Sequence, residues 1–223
     1  MCYKHAKINA DSLRKSENEL LDIWKSGYQN FIPDGCADYE KYVLSPVRLL
    51  FVLKEVNGGV NWDLRQFMKN GCRAQTWNVI SRWIQNIYNL STDFSWAELS
   101  CNNTQRRETF IPQVCAINVK KTPGTSVANT QLLNDSVLRD KAFLKKQVQM
   151  YKPDIIILCG TKNQYDCIMG NAIEWKMTTR GILYYIDSSN TIMISFLHPE
   201  ARVKQCLLHY GLIDALKEIL ISN

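Results

Sequence analysis

The chain has 223 residues, of which 46% are hydrophobic, and it carries a formal net charge of +6. This length and composition suit one globular domain with a sizeable core. No apolar run approaches the ~20 residues of a membrane span, and the first residues lack the apolar segment of a signal peptide, which argues against membrane and secreted classes. We therefore expect a cytoplasmic protein, whose mild positive charge is compatible with a polyanionic partner.

The cysteines give little sign of a metal or redox centre. There are 8 of them, and none forms a CxxC pair. Such spacings disfavour a structural zinc or an iron–sulfur site. Cys115, Cys159 and Cys167 fall inside strand or helix patterns, so we expect reduced, mostly buried thiols, and neither a metal nor a cofactor.

The first half of the chain reads as helices around one strand. An opening helix is predicted because apolar side chains recur at helical spacing at Leu13, Leu20, Leu21 and Trp24. Asp11 or Ser12 is expected to cap it. Helices are predicted at about 10–25, 62–69, 74–88 and 96–107. Residues 47–53 form a near-continuous apolar run, as expected for a strand covered on both faces.

The second half alternates more regularly. Strands are predicted at 113–119, 154–159, 183–186 and 192–197, and helices at 131–151, before Gly170 and from about residue 200 onward. Strands that alternate with helices predict an α/β sandwich around a central, mostly parallel sheet. We expect one domain over residues 1–223, with residues 1–45 as an N-terminal helical extension.

The loops after the carboxyl ends of the strands are the places to look for a site, because ligands bind there in open α/β sheets. The first such loop, KEVNGGVNW, places Glu55 and Asn57 beside Gly58 and Gly59. Glycine permits positive φ and close approach of a ligand to the backbone, although a plain tight turn explains the pair equally well. Neither GxGxxG nor GxxxxGK[ST] is present, so this is not a known phosphate fingerprint.

Two further strand ends carry polar side chains. Asn118 ends one strand and could read a base edge, with Lys120 and Lys121 beside it to hold phosphates; a strand-capping asparagine and a solvated basic pair are the alternative. His198 follows the last apolar strand, and Arg202 comes shortly after. A histidine that merely caps the next helix is the alternative there.

The order of these loops resembles the uracil-DNA glycosylase superfamily. The corresponding segments read EVNGG, INVKKTPG, PDIIILCG and HPEAR, and they span the chain from about Val47 to its end. The chain departs from the family where Gly58 replaces the usual proline, where Glu200 replaces a common serine and where Lys121 replaces the cysteine of cluster-containing branches. The resemblance implies a three-layer αβα sandwich with a four-stranded central sheet, and DNA as the partner of a monomeric protein.

The resemblance also assigns roles. Asn57 corresponds to the residue that holds the attacking water, with Glu55 as the alternative in an uncertain register. Asn118 corresponds to the reader of a flipped base, and His198 to the donor that meets its carbonyl as negative charge develops. The further candidates are Trp62 or Phe67 for an aromatic face that stacks with the base, and Gly58 or Gly59 for backbone N–H donors. Phosphate contacts are assigned to four cations: Lys120, Lys121, Arg202 and Lys204.

The implied reaction is hydrolysis of the bond between a flipped pyrimidine and its sugar, which leaves an abasic site. No lysine is evidently placed for a Schiff base, so we expect a monofunctional enzyme. The base is uracil or a modified cytosine, such as a 5-hydroxymethylcytosine derivative of phage DNA, in a role of repair or defence. An inactive DNA-binding relative and an α/β hydrolase of free nucleosides are the alternatives.

Overall fold

Helices and strands alternate along the chain in the structure, a computed structural model that describes residues 7–124, 128–170 and 173–221. The helices are α1 (Ala10–Lys25), α2 (Tyr39–Val43), α3 (Leu64–Lys69), α4 (Ala74–Tyr88), α5 (Trp96–Ser100), α6 (Asn103–Phe110), α7 (Thr130–Tyr151), α8 (Lys162–Met169) and α9 (Gln205–Ile221). The strands are β1 (Gly35–Cys36), β2 (Leu49–Leu53), β3 (Cys115–Asn118), β4 (Ile155–Cys159), β5 (Lys176–Met177), β6 (Leu183–Ile186) and β7 (Ile192–Phe196).

The strands form one mixed sheet in the order β1-β3-β2-β4-β7-β6-β5. The four strands at its centre, β3, β2, β4 and β7, are parallel, whereas β1, β6 and β5 pair antiparallel at the two edges. The predicted α/β class is therefore confirmed, but the sheet has seven strands within the described residues and not four. The count of four came from the family resemblance, whereas the sequence pattern also predicted the edge strand at 183–186; it missed only β1 and β5, which have two residues each and are too short to show an apolar period.

Helices cover both faces of the sheet. Alternate residues of β2 point to opposite sides, so that Phe51 packs with α3, α4 and α9, while Leu50 packs with α1, α7 and α8. All five residues of β2 and of β4 are buried. Their continuous apolar runs are thus explained by a strand position between two helical layers.

Helix boundaries follow the capping residues. The side chain of Asn9, and not Asp11 or Ser12, caps α1 by accepting the N–H of Ser12. Asp63 caps α3, so this helix begins at Leu64. The helix predicted at 96–107 is two helices, α5 and α6, because Asn102 adopts a left-handed backbone conformation between them.

The N-terminal segment is part of the sandwich and not an appendage. Gly35 and Cys36 pair with β3 as an edge strand. Trp24 of α1 stacks on Phe143 of α7, with ring centroids 5.1 Å apart. The residues up to 45 that the structure describes therefore contribute to both the sheet and one helical layer.

The cysteines are less buried than the sequence led us to expect. The structure describes seven of them, all free thiols, and of these only Cys36, Cys115 and Cys159 are buried.

Within the described ranges, no helix combines the length and apolarity that crossing a bilayer requires.

A buried polar network ties the N-terminal segment to the end of β3. The carboxylate of Asp34 accepts hydrogen bonds from the backbone N–H and the side-chain amide of Asn118, at 2.7 and 3.3 Å. Its other oxygen pairs with the ammonium of Lys121 at 2.5 Å and with the amide of Gln147 at 3.1 Å. Every one of these groups is buried, so each depends on the others for its hydrogen bonds.

We expect Lys121→Met to destabilise the fold strongly, because it leaves the Asp34 carboxylate buried without its cation. Loss of one partner of a buried ion pair costs about 3–5 kcal/mol. Urea unfolding followed by circular dichroism measures the loss. Lys146→Met, which removes an exposed lysine of α7, is the matched control and should change stability by less than about 0.5 kcal/mol. Equal stability of the two variants would contradict a structural role for Lys121.

Candidate functional site

A cleft of about 740 Å³ opens at the carboxyl ends of the four parallel strands. Lys54 follows β2, Asn118 ends β3, Gly160 follows β4 and His198 follows β7, and all four line the cleft. Its remaining lining residues are Leu53, Glu55, Val56, Asn57, Trp62, Leu64, Phe67, Arg73, Gln75, Thr76, Trp77, Ala128, Leu197, Glu200, Ala201 and Arg202. Most of the predicted site residues thus share one cavity.

Glu55 presents a carboxylate in the wall of this cleft. Its side chain is only 7% exposed and accepts a hydrogen bond from the Lys120 ammonium at 2.6 Å. Gly124 packs directly against it: a methyl group built there would lie 2.0 Å from Cδ of Glu55. The ion pair with Lys120 holds the carboxylate in place, and the absence of a side chain on Gly124 makes room for it.

Asn57 lies farther out than Glu55. It is exposed, and it forms an isolated parallel bridge with Gly124. Gly58 and Gly59 lie outside the cleft lining, and neither has a positive φ. Instead, the carbonyl of Gly59 accepts a hydrogen bond from the Trp62 indole at 2.9 Å. These glycines thus shape the turn that carries Trp62, and their role as base-contacting N–H donors stays a prediction.

Asn118 is 2% exposed and is held in place by Asp34. Because its amide nitrogen donates one hydrogen bond to that carboxylate, the orientation of the amide group is fixed. The carbonyl oxygen and the second N–H are then the groups with which this side chain can meet a ligand. Such an acceptor and donor pair is suited to the edge of a pyrimidine.

His198 is held as a neutral hydrogen-bond donor. Its Nδ1 accepts the backbone N–H of Glu200 at 3.2 Å, so the proton of the neutral ring is on Nε2. Desolvation lowers the pKa of His198 below its usual value; the carboxylate of Glu200 opposes this shift, and the charge of Lys54 adds to it. The ring is therefore uncharged at neutral pH.

Two aromatic rings also line the cleft. Trp62 and Phe67 meet edge to face, with centroids 5.6 Å apart, and both are partly buried. The guanidinium of Arg73 lies over the Phe67 ring at 5.8 Å. A partly exposed aromatic face of this kind can stack with a planar heterocycle.

The predicted phosphate contacts divide into two groups. Arg202 lines the cleft, and Lys204 is exposed just before α9, outside the cleft lining. Lys120 instead binds Glu55 and the carbonyls of Thr122 and Pro123, and Lys121 is buried against Asp34. We correct the prediction for these two lysines, since protein partners occupy both ammonium groups.

Sequence reasoning missed several residues of the site. Lys54 directly follows β2 and precedes Glu55, but it was not predicted as a site residue. Trp77 lies in the helix predicted at 74–88, which was not considered as part of the site, although this side chain also lines the cleft. Asp34, which orients Asn118 from 84 residues away, gave no local signal at all.

Comparison with models of known protein families gives no match, and comparison with curated proteins gives none either.

We expect the pKa of His198 to lie below 6.5, because burial disfavours the imidazolium. Glu200→Gln should lower this pKa further, since the carboxylate favours the charged ring, while the backbone hydrogen bond to Nδ1 remains. NMR titration of the ring carbon protons measures both values. A pKa above 6.5 in the unaltered protein, or a rise in the variant, would contradict this description of the ring.

Proposed function

We propose that the protein is a monofunctional DNA glycosylase with a fold similar to that of the uracil-DNA glycosylase superfamily. The observation that carries the proposal is the shared cleft, in which a carboxylate, a fixed amide, a neutral histidine and an aromatic wall converge. These groups suit a flipped pyrimidine: Trp62 and Phe67 stack with the ring, Asn118 binds its edge and His198 donates to its carbonyl.

Hydrolysis of the base–sugar bond develops positive charge on the sugar and negative charge on the departing base. In the proposed mechanism Glu55, positioned by Lys120, stabilises the sugar cation and orients the attacking water. The exposed amide of Asn57 binds that water from the rim. Nε2–H of His198 donates to the pyrimidine oxygen, where one such preorganised donor contributes roughly 100- to 1,000-fold in rate.

The cations at the mouth of the cleft fit a DNA backbone. Arg73 and Arg202 line the cleft, and Lys204 follows Arg202 by two residues in the chain; each of the three is exposed. Phosphate contacts by these side chains would offset the few kcal/mol that base flipping costs. Arg73 thus takes a place that sequence reasoning had given to Lys120 and Lys121.

The volume of the cleft bears on the base. About 740 Å³ exceeds what one pyrimidine ring fills and lies in the range of pockets for larger ligands. We propose that a cytosine with a bulky 5-substituent, such as a 5-hydroxymethylcytosine derivative, is accepted as well as uracil. Defence against modified foreign DNA and repair are both consistent with such a substrate range.

Incubation with duplexes that contain uracil, mismatched thymine or 5-hydroxymethylcytosine derivatives tests the proposal. We expect alkali-labile breaks at the site of at least one of these bases. Duplex binding without any abasic site would favour the inactive DNA-binding relative. Activity on free nucleosides without DNA binding would favour the nucleoside hydrolase. Either result would contradict the glycosylase assignment.

Glu55→Gln should lower the single-turnover rate by roughly 100-fold or more, because it removes the charge that stabilises the sugar cation. Duplex binding should be retained. Glu19→Gln removes an exposed carboxylate of α1 and is the matched control, with an unchanged rate expected. A greater loss in Asn57→Ala than in Glu55→Gln would contradict the assignment of the charge to Glu55.

Gly124→Ala tests the position of Glu55 without any change in charge. The added methyl group would lie 2.0 Å from Cδ of Glu55, so the carboxylate has to move. We expect a rate loss similar to that of Glu55→Gln, measured by the same single-turnover assay. Gly27→Ala, where the nearest heavy atom is 3.7 Å away, is the control. An unchanged rate in Gly124→Ala would show that the carboxylate does not need this position.

A further inference from the structure

Lys54 is a cation of the cleft whose ammonium has no partner among the residues that the structure describes. It is partly buried at the end of β2, and within the described residues its ammonium makes no hydrogen bond and no ion pair with a carboxylate. The other lysine of this region, Lys120, is satisfied by Glu55 and two carbonyls. An unpaired ammonium that is partly removed from water is electrostatically costly, and a bound anion would offset that cost.

The surroundings of Lys54 define where such an anion would lie. The Lys54 Nζ and the backbone nitrogen of His198 lie 3.7 and 3.9 Å from the point where a side chain on Gly160 would begin. Gly160 itself has a φ of +68°, a conformation that favours glycine, and a larger residue there would press on Cε of Lys54 at 3.3 Å. The ammonium and the His198 segment thus lie side by side at the ends of β2 and β7.

We propose that Lys54 and His198 together form an anion site that receives the negatively charged pyrimidine as it leaves the sugar. This inference rests on the proposed glycosylase function and adds a second source of leaving-group stabilisation to it. In the reaction the base–sugar bond breaks with both electrons going to the base. His198 donates a hydrogen bond to the resulting anion, and Lys54 supplies a full positive charge beside it.

The opposite charges of the two sites are spatially ordered. Glu55 follows Lys54 along the chain, yet its carboxylate is bound by Lys120 and packed against Gly124, on the side of β3. Lys54 contacts the Gly160 segment, on the side of β4. Consecutive residues therefore direct a negative charge to one side of the cleft and a positive charge to the other. A sugar cation and a base anion need such a separation.

Binding of free pyrimidines tests the anion site without any catalysis. The probes are 5-nitrouracil, which is an anion near neutral pH, and uracil, which is neutral, with calorimetry and the His198 ring signals as readouts. We expect the protein to prefer the anion, and Lys54→Met to lose this preference by roughly tenfold. Lys54→Arg should retain much of it, and Lys146→Met all of it. Equal preference in the protein and in Lys54→Met would overturn the proposal.

Single-turnover excision tests the catalytic part. Lys54→Met should lower the rate by roughly 100-fold with little change in duplex affinity, because the charge acts on the departing base. The loss should be smaller for a 5-fluoro analogue, whose anion needs less stabilisation. A loss confined to duplex affinity would overturn the proposal and indicate a phosphate contact.

Thermal unfolding of each variant identifies any variant that fails to fold. If Lys54→Met fails to fold, Lys54→Gln replaces it. Absence of excision in every form would refute the glycosylase function, while the pyrimidine-binding result would still decide the anion site.

Discussion

The parallel register of β3, β2, β4 and β7 is the constraint on which the cleft depends. Leu53 is level with Asn118, and Cys159 is level with Phe196, so these strands end at one edge of the sheet. The residues that follow, Lys54, Gly160 and His198, are thereby brought to a common cavity with Asn118. Helical layers on both faces hold this register, since a one-residue slip would turn buried side chains toward the opposite layer.

Charge is arranged in two layers around that edge. The inner layer consists of the buried pair of Asp34 and Lys121, which fixes the amide of Asn118 without facing a ligand. The outer layer faces the cleft: Glu55 pairs with Lys120, whereas Lys54 forms no ion pair within the part of the chain that the structure describes. In the proposed chemistry, the Glu55 carboxylate, which Lys120 binds, faces the sugar, and the Lys54 ammonium faces the departing base.

The sequence allowed the central strands to be predicted because their residues form apolar runs long enough to detect. The runs of β2 and β4 mark these strands, and the residues after the strands then mark the candidate site. The short edge strands β1 and β5 have no period to detect. The burial and the ion pairs of Lys120 and Lys121 could not be predicted from neighbouring residues either, because their partners, Glu55 and Asp34, lie 65 and 87 residues away. Lysines that look like a solvated basic pair are thus buried by tertiary contacts.

The resemblance to uracil-DNA glycosylases rests on four short motifs in order, and each motif gains meaning from its strand in the parallel centre of the sheet. The departures from the family lie in three of these motifs, at Gly58, Lys121 and Glu200. In the first motif, Lys54, Glu55 and Asn57 precede the doubled glycine and line the part of the cleft to which we assign the proposed chemistry. The cavity volume of about 740 Å³ leaves room for the 5-substituent of the proposed modified cytosine.

Mass spectrometry of the small molecules released from DNA tests the central claim most directly. Incubation of the protein with DNA that contains uracil or modified cytosines should release the intact free base, with an abasic site of matching position in the strand. The double variant Glu55→Gln and His198→Ala should release none while still binding the duplex. Release of nucleosides or nucleotides in place of free bases, or an equal yield from the double variant, would contradict the account.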